Sequence, residues 1–252
     1  MPATVNKRQA YSNLLDGFME VHDKTEREEL AAAQRLKKKF GPLFDGFGIA
    51  LEGYWRRQKK TADDFNLLAV FNLESDEIRH SKALAWLLNC DPRAKGTHYQ
   101  GNLGFQAFLE EFGLDASYAK EEFKVECEPV ENESRLDIRI VSRDCRWLIG
   151  IEVKIWASEG EKQTVREWRD LCDRAERKQI PRNCIHAFFL TPYGTKAGSE
   201  NFYSITWRRI AKVFMRFANE LGDGPKDVVL FARHCACAME RLSPPTEEPE
   251  EQ

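Results

Sequence analysis

Residues 148–156 read LIGIEVKIW, Leu148 to Trp156. The run has the length and the β-branched content of a strand entering a core, yet it carries Glu152 and Lys154. Just upstream lies a second alternating run, RLDIRIV, Arg135 to Val141. Paired as a hairpin, the two predict one apolar face of Leu136, Ile138 and Ile140 with Ile149, Ile151, Val153 and Ile155. Asp137, Arg139, Gly150, Glu152 and Lys154 then share the opposite face. A turn centred near Ser142 to Arg146 sets Asp137 across from Glu152, and directly opposed residues hold their Cβ atoms about 4.5–5.5 Å apart. Two carboxylates that close repel unless a proton or a cation neutralises them. Lys154 supplies one charge and a divalent ion two, and hard cations such as Mg²⁺ favour carboxylate oxygen while keeping several waters. The pattern is that of a metal-dependent phosphodiester site, with the lysine orienting water or stabilising charge on phosphate. Its alternative is a half-exposed sheet whose polar residues face solvent.

Before the hairpin the periodicity is helical. Residues 9–40 carry one apolar stripe at Tyr11, Leu14, Leu15 and Phe18 and another at Leu30, Ala33 and Leu36, with Gly41-Pro42 expected to stop the helix and a second to cover 43–59. An apolar segment from 62 leads to Ser75, a candidate N-cap for DEIRHSKALAWLLN, and 103–112 forms another helix. After the hairpin, Ser158 and Glu161 have capping-box spacing ahead of a helix, NCIHAFFLT reads as a buried strand and FYSIT as a short one. Thr206 can cap a helix over 207–221, and DVVLFARHCACAMERL is the last. Helices, three strands, a helix, two strands and helices predict a mixed sheet flanked by helices.

The 252 residues allow one large domain, or one with an appendage, and 42% hydrophobic residues suffice for a core. A net charge of −3 excludes non-specific nucleic-acid binding by the whole chain, but residues 1–60 hold twelve Lys/Arg against eight Asp/Glu. The runs RLKKK (Arg35–Lys39) and RRQKK (Arg56–Lys60) are solvated helix faces or a phosphate-binding arm. The tail SPPTEEPEEQ is acidic. No apolar run spans a bilayer and the first residues lack a signal-peptide core, so a cytoplasmic protein is expected. Seven irregularly spaced cysteines argue against a disulfide framework, and HCAC (His234–Cys237) has no second half for a zinc site.

The ordered blocks RLDIRI, IGIEVKIWASEGEKQ, FFLTPYG and ITWRRI resemble the PD-(D/E)XK nuclease superfamily, and a bacterial branch of it in which an N-terminal helical segment carries a pattern like DEIRHSKALAWLLNCDPRAKGTHYQG. The resemblance runs from about residue 62 to about 240. It implies an α/β (α+β) restriction-endonuclease-like core: a central mixed β-sheet flanked by helices, here with an extra N-terminal helical segment. The expected division is an N-terminal helical arm over 1–61, a nuclease-like domain over 62–242 and a disordered acidic tail over 243–252. The implied activity is Mg²⁺- or Mn²⁺-dependent hydrolysis of phosphodiester bonds, usually in DNA, by an endonuclease.

By that resemblance Asp137, Glu152 and Lys154 are catalytic, and the carbonyl of Val153 joins Asp137 and Glu152 on the metal. Gln163 matches a glutamine near the lysine. Glu77 matches an acid that reaches the metal through water, its alternative being favourable placement at a helix N-terminus. Arg79, Arg139 and His98 are substrate-binding candidates; His80 ranks with His98 as a residue more often structural, and Trp156, Trp168 and Trp207 are expected as core anchors. Leu136 stands where the superfamily's name has proline, and Val153 where this branch often has asparagine. Because a backbone carbonyl ligates, the second change is harmless. Members of the branch often look like restriction or anti-phage defence components. Two other readings stand beside it: a catalytically silent nucleic-acid-binding module on the same fold, and, compatible with a nuclease, an interaction protein whose N-terminal helices dock a second copy or a defence-complex partner.

Overall fold

The hairpin inferred from the two alternating runs is present in the computed structural model, which describes residues 7–127, 130–131 and 134–244. The chain forms two units, Met1–Phe65 and Asn66–Gln252. The first is one helix, α1 (Lys7–Thr61), of 55 residues with Pro42 inside it. The stop expected at Gly41-Pro42 does not occur. Proline removes one i→i−4 hydrogen bond and crowds the preceding turn, but its φ is helical, and regular helical periodicity on both sides carries the helix through. No described helix is long and apolar enough to cross a membrane.

In the second unit the helices are α2 (Leu67–Val70), α3 (Glu77–Leu88), α4 (Leu103–Phe112), α5 (Gln163–Lys178), α6 (Trp207–Leu221) and α7 (Lys226–Arg241). The strands are β1 (Phe123–Cys127), β2 (Val130–Glu131), β3 (Ser134–Arg135), β4 (Ile138–Ser142), β5 (Leu148–Val153), β6 (Ile185–Thr191) and β7 (Phe202–Thr206). Five of them form a mixed sheet in the order β1-β4-β5-β6-β7. β1, β4 and β5 pair antiparallel, whereas β5, β6 and β7 run parallel. The parallel step from β5 to β6 needs a crossover, and α5 supplies it. β2 and β3 make a separate small hairpin that no alternation announced. The acidic tail lies outside the described residues from 245 on. Ser243 still docks, its hydroxyl accepting from the Arg208 N–H at 3.1 Å.

β5 is buried along its whole length, between two cores. Ile138, Ile140, Ile149, Ile151 and Val153 face the larger core, with α3, α4, α6 and α7. The smaller core joins Leu148 to Leu171 and Ala175 of α5. Leu136 belongs to this smaller core and not to the Ile138 face as the alternation implied, because regular strand geometry begins only at Ile138. Cys235 lies in the larger core and burial pushes its thiol up to about 12, in keeping with a packing role; all seven cysteines are free.

Two close approaches set the layers. A Cβ on Gly150 would stand 2.9 Å from Leu171 Cδ1 and 3.2 Å from Leu136 Cδ1, so α5 sits tight against β5. A Cβ on Gly104 would stand 2.2 Å from the Leu87 carbonyl oxygen, so α3 and α4 cross nearly backbone to backbone. Backbone cannot swing aside as a side-chain tip can. Gly104→Ala is therefore expected to lower unfolding free energy by about 3 kcal/mol or more in urea titration, the upper end of overpacking costs. A loss under about 1 kcal/mol would mean that this crossing is looser than described.

Candidate active site

The site is built on the residues where β5 leaves the sheet. Val153 N–H donates to Asp137 Oδ2 at 2.7 Å, and Lys154 N–H to the Leu190 carbonyl of β6 at 2.8 Å. Ile155 N–H donates to Glu77 Oε2 of α3 at 2.8 Å, and the Trp207 indole N–H donates to the Lys154 carbonyl at 3.1 Å. Three consecutive residues are thus held by four parts of the fold. Each bond satisfies a backbone group that the end of the ladder leaves over. The register Ile138↔Ile151 continues to set Asp137 beside Glu152, as the hairpin required.

Glu152 is 1% exposed. Its Oε1 accepts from Lys154 Nζ and from Gln163 Nε2, each at 2.5 Å. Gln163 also donates to Glu167 Oε1 at 2.8 Å, one turn along α5. Burial, then the charge of Glu152, pushes Asp137 up to about 7 against the opposing Val153 N–H and Lys154. Burial, then Glu167, does the same to Glu152, which also reaches about 7. Glu167 is likewise raised to about 7 by burial, against the Gln163 hydrogen bond. For Lys154 burial works downward, but Glu152, Glu77 and Asp137 together outweigh it and hold the ammonium above the usual lysine range.

Four carboxyls against one ammonium leave an excess of negative charge in a desolvated place. Glu152 Oε2 and Glu167 Oε2 are buried with no N–H or O–H donor, and the two carboxyls lie close enough to share a proton. Among the described residues no three His, Cys, Asp or Glu side chains converge as a ready-made cage. A hard divalent ion does not need one, since it binds through one or two carboxylates and retains waters. Asp137, Glu152 and the Val153 carbonyl fit such an ion by donor type.

Asp137, Glu152, Lys154, Gln163 and Glu77 are therefore brought together. Arg139 and His98 are not. The Arg139 guanidinium is buried and paired with Glu126 Oε2 at 2.6 Å, because β1 lies beside β4 and sets Glu126 opposite it. His98 is 2% exposed, packed edge-on to Trp86 and Phe217 with Nδ1 accepting from the Gln100 N–H, so it is a core imidazole. His80 is buried too, against Trp207. Arg79 is exposed on the first turn of α3. Trp207 anchors the core as expected, but Trp156 is 74% exposed, since the chain has already left the sheet there. Asp76, not Ser75, caps α3, accepting from the Arg79 N–H at 3.0 Å. Ser158 does not cap α5. Glu159 accepts from the Thr164 N–H at 3.0 Å and hydroxyl at 2.5 Å, and from the Gly198 N–H at 2.7 Å, which closes the loop that delivers Gln163. Glu159 and Glu167 were missed. The signal for Glu167 was its i,i+4 spacing from Gln163 on an amphipathic helix.

The sequence pattern of the PD-(D/E)XK nuclease superfamily matches residues 65–222, more than half of the chain, and the chain belongs to that superfamily. Membership implies a nuclease, with divalent metal as the general requirement. No curated protein and no solved structure matches the chain.

The raised carboxyls make stability depend on pH. A folded-state pKa above the unfolded value means the folded chain binds the proton more tightly, so that stability is complete below about pH 4 and lost as pH rises through about 7. In EDTA the unfolding temperature should fall from pH 5 to pH 8, and Glu152→Gln, which cannot ionise, should flatten that fall and melt a few degrees higher at pH 8. An unchanged slope in the variant would remove Glu152 from the titrating cluster.

Proposed function

We propose that this chain, a member of the PD-(D/E)XK nuclease superfamily, is a Mg²⁺- or Mn²⁺-dependent endonuclease that hydrolyses phosphodiester bonds in DNA. The observation that carries the reading is the Glu152 carboxyl, sealed from water beside Asp137, with one oxygen held by Lys154 and Gln163 and the other lacking an N–H or O–H donor. Asp137, Glu152 and the Val153 carbonyl would hold the ion. A divalent ion there supplies Lewis acidity toward phosphate oxygen and makes water a better nucleophile at neutral pH.

The chain's own groups have separable tasks. Lys154 stays protonated, since its neighbours hold its pKa up, so it acts as a charge and hydrogen-bond donor to phosphate or water and not as a base. Gln163 fixes the Glu152 rotamer by donating to it and to Glu167. Glu77, through the Ile155 N–H, ties α3 to the residue after Lys154. Arg79, exposed on α3 two residues after Glu77 and so on another face of the helix, is the substrate-contact candidate that remains. An intact Asp137, Glu152 and Lys154 set argues against a silent binding module. A role in a restriction or anti-phage defence system rests on the family's pattern alone, action in the cytoplasm on the lack of a bilayer-spanning run or signal-peptide core in the sequence, and a partner on the N-terminal helix on the apolar positions of that helix.

The test is cleavage of linear, circular and single-stranded DNA, and of RNA, by wild type and Lys154→Ala in Mg²⁺, Mn²⁺ or EDTA. Metal-dependent cutting, including of circular DNA, is expected from wild type, with a loss on the order of a hundredfold in the variant. A variant that cuts as fast as wild type overturns the assignment, and cutting of RNA alone overturns the substrate.

A further inference from the structure

The helix α1 carries apolar side chains that its own unit leaves in water. Leu15, Met19, Leu36, Phe40, Phe47 and Leu51 are all exposed. At about 100° per residue they fall within about 60° of one line drawn along the helix through Ala33. A stripe of that width is the buried face of a helix in a globular protein, and contiguous apolar surface of this kind marks an interface. A lone helix cannot cover it, however long.

The charges that interrupt the stripe say what covers it. Glu26 and Glu29 lie on the stripe before the alanine run Ala31–Ala33, and Lys37 lies on it after. The wider sequence repeats that polarity: residues 20–29 hold five acids and two bases, and residues 35–39 hold four bases and no acid. Two copies laid parallel would set Lys37 on Lys37 and Glu29 on Glu29, which is repulsive. Two copies laid antiparallel about the alanine run set each Lys37 between Glu26 and Glu29 of the other. The small alanines then lie at the centre, where the helices come closest. A palindrome of charge of this kind selects a second copy of the same chain over an unrelated partner.

We propose that α1 is a dimerisation helix, and that two chains associate through an antiparallel pair of α1 helices centred on Ala31–Ala33. The pairing is independent of the catalytic reading, since none of its residues belongs to the active site.

The test is charge exchange in the full chain, read by light scattering and sedimentation at micromolar concentration. Wild type should have twice the chain mass of 29.2 kDa. Lys37→Glu, and separately the double variant Glu26→Lys/Glu29→Lys, should each weaken self-association about tenfold or more. An equimolar mixture of those two proteins should restore the dimer, and so should the chain carrying all three substitutions. Helix loss in either variant would not be repaired by adding the other changes, so the rescue separates pairing from folding. A monomeric wild type, variants that associate unchanged, or a triple variant that stays monomeric would each overturn the proposal.

Discussion

The site depends on keeping the Glu152 carboxylate out of water. Removing an ionised carboxylate from solvent costs several kcal/mol unless its oxygens find partners. Here Lys154 and Gln163 satisfy one oxygen and leave the other without an N–H or O–H donor. Such a group holds either a proton or a cation. Its neighbours share the predicament: Asp137 and Glu167 are pushed to about 7 by the same burial. The cluster is thus poised near neutrality, where a divalent ion displaces protons from it.

That burial is a product of the fold around β5. The strand is covered on both faces, by the isoleucine-rich core on one side and by α5 on the other, and Gly150 lets α5 approach closely. Because both layers reach the end of the strand, α3 delivers Glu77 from one side while α5 delivers Gln163 and Glu167 from the other. The backbone of Val153, Lys154 and Ile155 is held by bonds to four different parts of the domain. A site that must place two carboxylates and an ammonium within a few tenths of an ångström gains from this pinning, because displaced catalytic groups lose rate steeply.

Much of this was legible in residues 135–156. Strict alternation and a short turn predict which residues oppose, so Asp137 and Glu152 came out together. The alternation misled only where the strand had not begun, at Leu136; the expectation of Trp156 as a core anchor failed separately, because the strand has ended there. Local signals were weaker elsewhere. Gly41-Pro42 reads as a stop, yet helical periodicity on both sides overrides it. Ser158 has a capping spacing, but Glu159 does the holding, because its partner Gly198 is distant in sequence. Arg139 looked like a phosphate ligand and His98 like a substrate contact because sequence carries no account of Glu126 or Phe217, their neighbours across strand and core. Glu167 carried only its i,i+4 spacing from Gln163 as a signal, and only folding sets that pair beside Glu152.

The most direct measurement is calorimetric titration of Mn²⁺ into the full chain near pH 7, in two buffers of different ionisation enthalpy. Wild type should bind and release protons, because Asp137 and Glu152 enter the reaction partly protonated. Asp137→Asn and Glu152→Gln should each abolish or strongly weaken that binding, while Arg139→Gln should not lower proton release. Binding without proton release, or binding unchanged by loss of either carboxylate, would contradict the account.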